Sequence, residues 1–127
     1  MVDLHTHTTN SDGSLTPREL VKLAKEQGFS AIAVTDHDTV DGVFEAMQAG
    51  NEFGIETIPG IELSCNYERE LHIIGLFIDP NYPPLVEKLK ELAKNREKRN
   101  QKTLEILNSL GMPITVEEVK QIATGNI

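Results

Sequence analysis

A single cysteine, Cys65, is all the thiol chemistry this sequence holds. That excludes an internal disulfide framework and fits a reducing compartment. No stretch approaches the ~20 apolar residues that a bilayer span needs. The opening Met1-Val2-Asp3-Leu4-His5 has no basic segment followed by an apolar one, so no secretory leader is expected. The expected setting is cytoplasmic, with no membrane partner. Positive charge is scarce: 12 Lys+Arg face 20 Asp+Glu, a formal net charge of −8. Duplex DNA is therefore not an expected partner for the chain as a whole. Histidine is absent from the last 55 residues, so imidazole chemistry is confined to His5, His7, His37 and His72. Neither a repeat nor a low-complexity tract is present. A hydrophobic fraction of 39% in 127 residues suits one folded core.

The pattern along the chain is that of βα units. Val2 to Thr8 alternates as a strand, with Val2, Leu4 and Thr6 on one face and Asp3, His5 and His7 on the other. A turn cluster, 9–14, follows. Thr16-Pro17-Arg18-Glu19 has the form of a capping box with proline at the first helical position. Leu20, Leu23 and Ala24 are expected on the buried face of that helix, and Gly28 ends it. Ala31 to Thr35 reads as a short strand and Val43 to Glu52 as a helix stopped by Gly54. Thr57 to Ser64 reads as a third strand interrupted at Pro59-Gly60. Leu71 to Ile78 reads as a fourth, apolar enough for burial on both faces. The loop 66–70 is too short for a helical crossover, so strands three and four are expected to pair as a hairpin. From about residue 80 the texture changes. Leu85 to Leu110 is long, helical and charged, Gly111-Met112-Pro113 ends it, and Thr115-Val116-Glu117-Glu118 reads as a second capping box.

The chemistry-bearing residues sit where such strands end. In His5-Thr6-His7 the two imidazoles are at i and i+2, so an extended strand points both to one metal ion. The plain alternative is two surface histidines that happen to alternate. Asp12 lies in the loop after this strand. Asp36-His37-Asp38 follows the second, where it can also serve as a loop or helix cap. Glu62 stands between Ile61 and Leu63, a costly place for a carboxylate unless it is paired, metal-bound or turned to solvent on an edge. His72 lies between Leu71 and Ile73 and can equally be a satisfied core histidine. Together they form a His/Asp/Glu set without cysteine, which suits Zn²⁺, Mn²⁺ or Fe²⁺. A carboxylate such as Glu62 can bridge two ions, as in two-metal hydrolases. Cys65 lies on the strand face of Leu63 and is read as a small core residue.

Taken in order, His5-Thr6-His7-Thr8 with Ser11-Asp12-Gly13, Thr35-Asp36-His37-Asp38, Pro59-Gly60-Ile61-Glu62 and Leu71-His72-Ile73-Ile74-Gly75 resemble the PHP (polymerase and histidinol phosphatase) family. The resemblance implies an α/β fold, the N-terminal part of a distorted (β/α) barrel over residues 1–79. Residues 80–127 then look like the start of the helical insertion found in small PHP phosphoesterases. Those enzymes act on nucleoside 3′,5′-bisphosphates and on short RNA from the 5′ end, so a small phosphorylated substrate is implied. The family site holds up to three divalent metal ions (Mn, Zn or Fe). Carried over by residue, His5 and His7 bind the first, Asp12 and His37 contribute to the second, Glu62 bridges and His72 binds the third. Asp36 is implied to orient a neighbouring imidazole from behind. The family's remaining ligands come from a C-terminal part that has no counterpart here. The expectation is therefore a fragment of a longer protein, with a completing partner chain as the other option.

Residues 85–102 hold seven cations, Lys88, Lys90, Lys94, Arg96, Lys98, Arg99 and Lys102, against three glutamates. That local net of +4 leaves −12 on the rest. Most of these lysines read as a solvated face. Arg96 and Arg99, however, recur with Leu85, Leu89, Leu92, Thr103, Leu107 and Leu110 at helical spacing, and Asn100 is one turn beyond Arg96. These arginines can snorkel, or they can reach a substrate phosphate. The resemblance favours Arg96 and Asn100 as grips on the phosphate that is not hydrolysed. Metal-dependent phosphoesterase is thus the expected function. The alternatives are a non-catalytic or proofreading PHP module of a polymerase-type protein and an amidohydrolase-type barrel. The Ser-Asp-Gly and Thr-Asp-His-Asp elements count against the last.

Overall fold

The structure, a computed structural model, describes residues 1–66, 68 and 71–123. Tyr67, Arg69 and Glu70 of the expected polar loop, and residues 124–127, lie outside the described residues. The element order is β1 (Val2–Thr6), α1 (Pro17–Glu26), β2 (Ala31–Val34), α2 (Val43–Phe53), β3 (Glu56–Cys65), β4 (Leu71–Leu76), α3 (Pro83–Ser109) and α4 (Val116–Ile122). The sheet runs β1-β2-β3-β4. Helical crossovers make β1–β2 and β2–β3 parallel, and the short connection makes β3–β4 antiparallel. No described helix is long and apolar enough to cross a membrane.

Local chemistry accounts for most of the boundaries. Thr16 accepts from the Glu19 amide while the Glu19 carboxylate accepts from Thr16, and Thr115 and Glu118 repeat the arrangement. Gly54 closes α2 in the left-handed region at φ 66°, which glycine adopts without a Cβ clash. On α1 the buried residues are Pro17, Val21 and Ala24, spaced four and three apart. Leu23, expected inside, is exposed, because it stands about 200° round the helix from Val21.

The core has two layers. Ile32 and Val34 of β2 meet Val21 and Ala24 of α1 and Ala46 and Ala49 of α2. Ala31 and Ala33 point the other way, toward Ile58 of β3 and Leu76 of β4. The second face is the inner side of the curling sheet. Continuing its alternation past the strand ends places His37 and Glu62 on that same side.

Two strands differ from expectation. β3 is continuous through Pro59-Gly60, which marks a change of partner instead of a break. Residues 56–59 pair with β2 and residues 60–65 with β4. A Cβ on Gly60 would stand 2.7 Å from Thr35 Cγ2 and 2.9 Å from the Val34 carbonyl, so the close approach of β2 requires glycine here. β4 is exposed along most of its length and not buried on both faces. It is one of the two edge strands of the described sheet, while α1 and α2 lie over β2 and β3. Cys65 is correspondingly half-buried at the end of β3 and not part of the core.

Candidate metal centre

Four elements deliver the site. His5 lies on β1 and His7 just past its end, Asp12 in the loop to α1, His37 in the loop after β2, Glu62 on β3 and His72 on β4. A backbone bridge sets the register: the Glu62 amide donates to the Asp36 carbonyl at 3.1 Å and the Asp38 amide to the Glu62 carbonyl at 2.9 Å. His37 is thereby laid beside Glu62.

Glu62 is the hub. The residue is only 5% exposed. Oε2 lies 3.0 Å from His5 Nε2, 3.2 Å from His7 Nε2 and 3.5 Å from His37 Nδ1. Oε1 lies 3.0 Å from His72 Nδ1. Asp12 reaches the same cluster from the loop, 3.4 Å from His7 Nδ1 and 3.6 Å from His37 Nε2. His7 and His37 stack with ring centroids 4.6 Å apart. All six residues that the motifs nominated as ligands are brought together.

The donor set fits divalent cations. Three groups present ligand atoms within 4.8 Å of one another: His5, His7 and Glu62; His7, Asp12 and His37; His37, Glu62 and His72. His7 Nδ1 is buried without a hydrogen bond, an orphaned ring nitrogen of the kind a cation satisfies. Burial, with the His37 charge beside it, holds the His7 imidazole below its ordinary value of 6.5, against the pull of Asp12 and Glu62. Burial acts to raise the Glu62 carboxyl, but the His5 and His72 hydrogen bonds and the His37 charge outweigh it, so it lies below its ordinary 4.5. Both shifts favour the ligand form, neutral imidazole and ionised carboxylate.

They also set a pH dependence. Below 6.5 the unfolded chain takes up a proton that folded His7 resists, and below 4.5 one that folded Glu62 resists. In both windows the unfolded state binds more protons, so stability falls with acidification. The melting temperature of the metal-free protein should decline from pH about 6.5 downward and more steeply below about 4.5. A flat profile across that range contradicts this account.

Asp36 differs from expectation. It is 2% exposed, and its carboxylate accepts from the Thr8 amide, the Thr8 hydroxyl and the Ser11 hydroxyl, each at 2.7 Å. Among the described residues its hydrogen-bond donors are Thr8 and Ser11 and not an imidazole; it anchors the loop that carries His7 and Asp12. The Thr8 carbonyl accepts from Ser11 and Gly13, and a Cβ on Gly13 would collide with the His7 carbonyl.

A cavity of about 420 Å³ opens beside His37, between the β2–α2 loop and α3, with Asn10, Asp38, Leu89 and Arg96 among its walls. Arg96 is half-buried and faces it. Asn100, one turn on, is also half-buried. Arg99 is exposed, and neither it nor Asn100 is among the residues that line the cavity. Asp38, which sequence reasoning read only as part of a loop or cap triplet, accepts a 2.5 Å hydrogen bond from Arg96. Its only signal was a third charged position in Asp36-His37-Asp38.

Comparison with known proteins agrees with this geometry. The family model described as PHP domain matches residues 3–114. A 5′-3′ exoribonuclease of Haemophilus influenzae is 42% identical over 98% of this chain and 46% of its own length. A 3′,5′-nucleoside bisphosphate phosphatase of Chromobacterium violaceum is 40% identical over 77% of this chain and 35% of its own. A solved structure from Bifidobacterium adolescentis that carries the name metal-dependent phosphoesterase superposes with a TM-score of 0.86 at 32% identity, covering 94% of this chain and 42% of that one. The chain thus spans less than half the length of these relatives.

Proposed function

The chain belongs to the PHP family, and from that premise we propose that it carries part of the active site of a divalent-metal-dependent phosphoesterase. Its substrate is a nucleotide-type phosphate ester, a nucleoside 3′,5′-bisphosphate or the 5′ end of a short RNA. The observation that carries the reading is one buried carboxylate, Glu62, within 3.5 Å of all four imidazoles of the chain. The substrate class is supported by the relatives named exoribonuclease and bisphosphate phosphatase. Residues 1–79 are read as the N-terminal part of the barrel and residues 80–127 as the start of a helical insertion.

In this reading His5 and His7 would hold one ion, Asp12 and His37 would contribute to a second, Glu62 would be shared between ions, and His72 would serve a third. Imidazole with carboxylate suits Mn²⁺, Zn²⁺ or Fe²⁺. When bound, such ions supply Lewis acidity and an acidified water for attack on phosphorus. The protein's own part is placement. The Glu62 backbone bridge fixes His37, the Asp36 network fixes the loop of His7 and Asp12, and the hairpin brings His72 to Glu62. Arg96 and Asn100 are read as grips on the phosphate that is not hydrolysed; the reading is supported by Arg96 at the cavity wall and by the match of a guanidinium to phosphate oxygens.

The test is phosphate release from a nucleoside 3′,5′-bisphosphate by the Mn²⁺-loaded full-length chain. His37→Ala should lower it by at least roughly a hundredfold, the scale of removing one electrostatic group from a phosphoryl-transfer site. Bound Mn²⁺ with no turnover of any phosphoester would support a non-catalytic PHP module instead.

A further inference from the structure

Asp38 is fixed from three directions. Its backbone lies in the left-handed region at φ 52°, which Asp and Asn accept more readily than other side-chain-bearing residues. Its amide donates to the Glu62 carbonyl. Oδ1 accepts from the Ser64 amide of β3 at 2.8 Å and Oδ2 from Arg96 Nη2 of α3 at 2.5 Å. The side chain is 9% exposed. One carboxylate therefore ties the loop after β2, the far half of β3 and the long helix together at the wall of the cavity.

Arginine carries five N–H donors in a rigid fork. Among the described residues, Asp38 is the one hydrogen-bond partner of the Arg96 guanidinium, and Arg96 is part of the cavity wall. An arginine with no partner samples many rotamers and loses that freedom when it binds. An arginine held by a buried carboxylate has already lost it. The Ser64 amide and the guanidinium both draw on the Asp38 charge, which softens its repulsion of a nearby anion.

We propose that Asp38 is a positioning residue: its ion pair with Arg96 fixes the guanidinium over the cavity, so that the free donors meet an anionic group of the substrate. The proposal rests on the phosphate-ester reading above and adds the residue that prepares the arginine. Asp38 itself does not touch the substrate. The donors it leaves open suit a phosphate monoester bearing two oxygens on one side.

The experiment uses Asp38→Asn, which keeps an acceptor for the Ser64 amide and tolerates the left-handed backbone. Arg96→Lys is the second variant, because one ammonium cannot both stay on Asp38 and present a fork. Nucleoside 3′,5′-bisphosphate binding to the metal-free full-length chain is measured by calorimetry. KM and kcat are measured on the Mn²⁺-loaded chain with the bisphosphate and with an aryl phosphate. Both variants should weaken calorimetric binding about tenfold, the lower end of what losing an orienting partner costs. The KM rise should be about tenfold larger for the bisphosphate than for the aryl phosphate. In an Arg96→Ala background, Asp38→Asn should add nothing. Binding within twofold of wild type for both variants overturns the proposal. So does an equal KM rise on both substrates, additivity with Arg96→Ala, or tighter binding by Asp38→Asn, which would make Asp38 a competitor of the phosphate. A wild-type chain that binds no bisphosphate and hydrolyses no phosphoester removes the phosphate-ester reading itself.

Discussion

Glu62→Gln should abolish function while leaving the fold standing. The substitution conserves shape at a position where one carboxylate faces His5, His7, His37 and His72. It removes the negative charge from two of the three candidate ligand groups and leaves His7, Asp12 and His37 as the third. Metal content of the purified protein, read by elemental analysis, should fall accordingly. Metal contributes several kcal/mol of transition-state stabilisation in such sites. At 1.36 kcal/mol per factor of ten, phosphate release should drop by roughly a thousandfold. The metal-free variant should melt within a few degrees of wild type, because an amide can still accept and donate in the same space. Unchanged metal content, or activity within tenfold of wild type, contradicts the hub role of Glu62.

Asp36→Ala should do the reverse, damaging the fold first. Its carboxylate satisfies the Thr8 amide and two hydroxyls in a place that water does not reach. Each orphaned buried donor costs about 1–3 kcal/mol. Over three donors that is roughly 3–9 kcal/mol against a typical total of 5–15. The melting temperature should fall by more than about 10 °C. Asp36→Asn should lie between the two, since a single carbonyl oxygen cannot serve all three donors. A change of under about 2 °C for the alanine variant would show that the loop finds other partners.

The sequence disclosed what depends on near neighbours. Both capping boxes, the stop at Gly54, the parallel order and the hairpin follow from residues a few positions apart. The convergence of the six candidate residues was legible because strand alternation and strand ends fix direction without knowledge of the partner. Contacts across the fold were not. Asp36 binds Thr8 and Ser11, 28 and 25 residues away, and Asp38 meets Arg96 at a separation of 58. Nothing in local periodicity distinguishes a carboxylate behind an imidazole from one behind a threonine. Hydrophobic runs misled in the same way. Leu71 to Leu76 has the composition of a buried strand, but composition does not say whether an edge is covered. Leu23 fits a generous stripe on α1 yet is exposed, because a stripe does not say which of its edges meets a neighbour.

The change of partner along β3 has a consequence for how the centre comes apart. Glu62 and His72 lie in the antiparallel half beyond Gly60, whereas His7, Asp12 and His37 are carried by β1, β2 and their loops. A local opening confined to the hairpin dissolves both groups that contain Glu62 and spares His7, Asp12 and His37. With β4 exposed along most of its length, an opening that began there would take the candidate site apart in two steps, the hairpin groups first and the group on the parallel pair after.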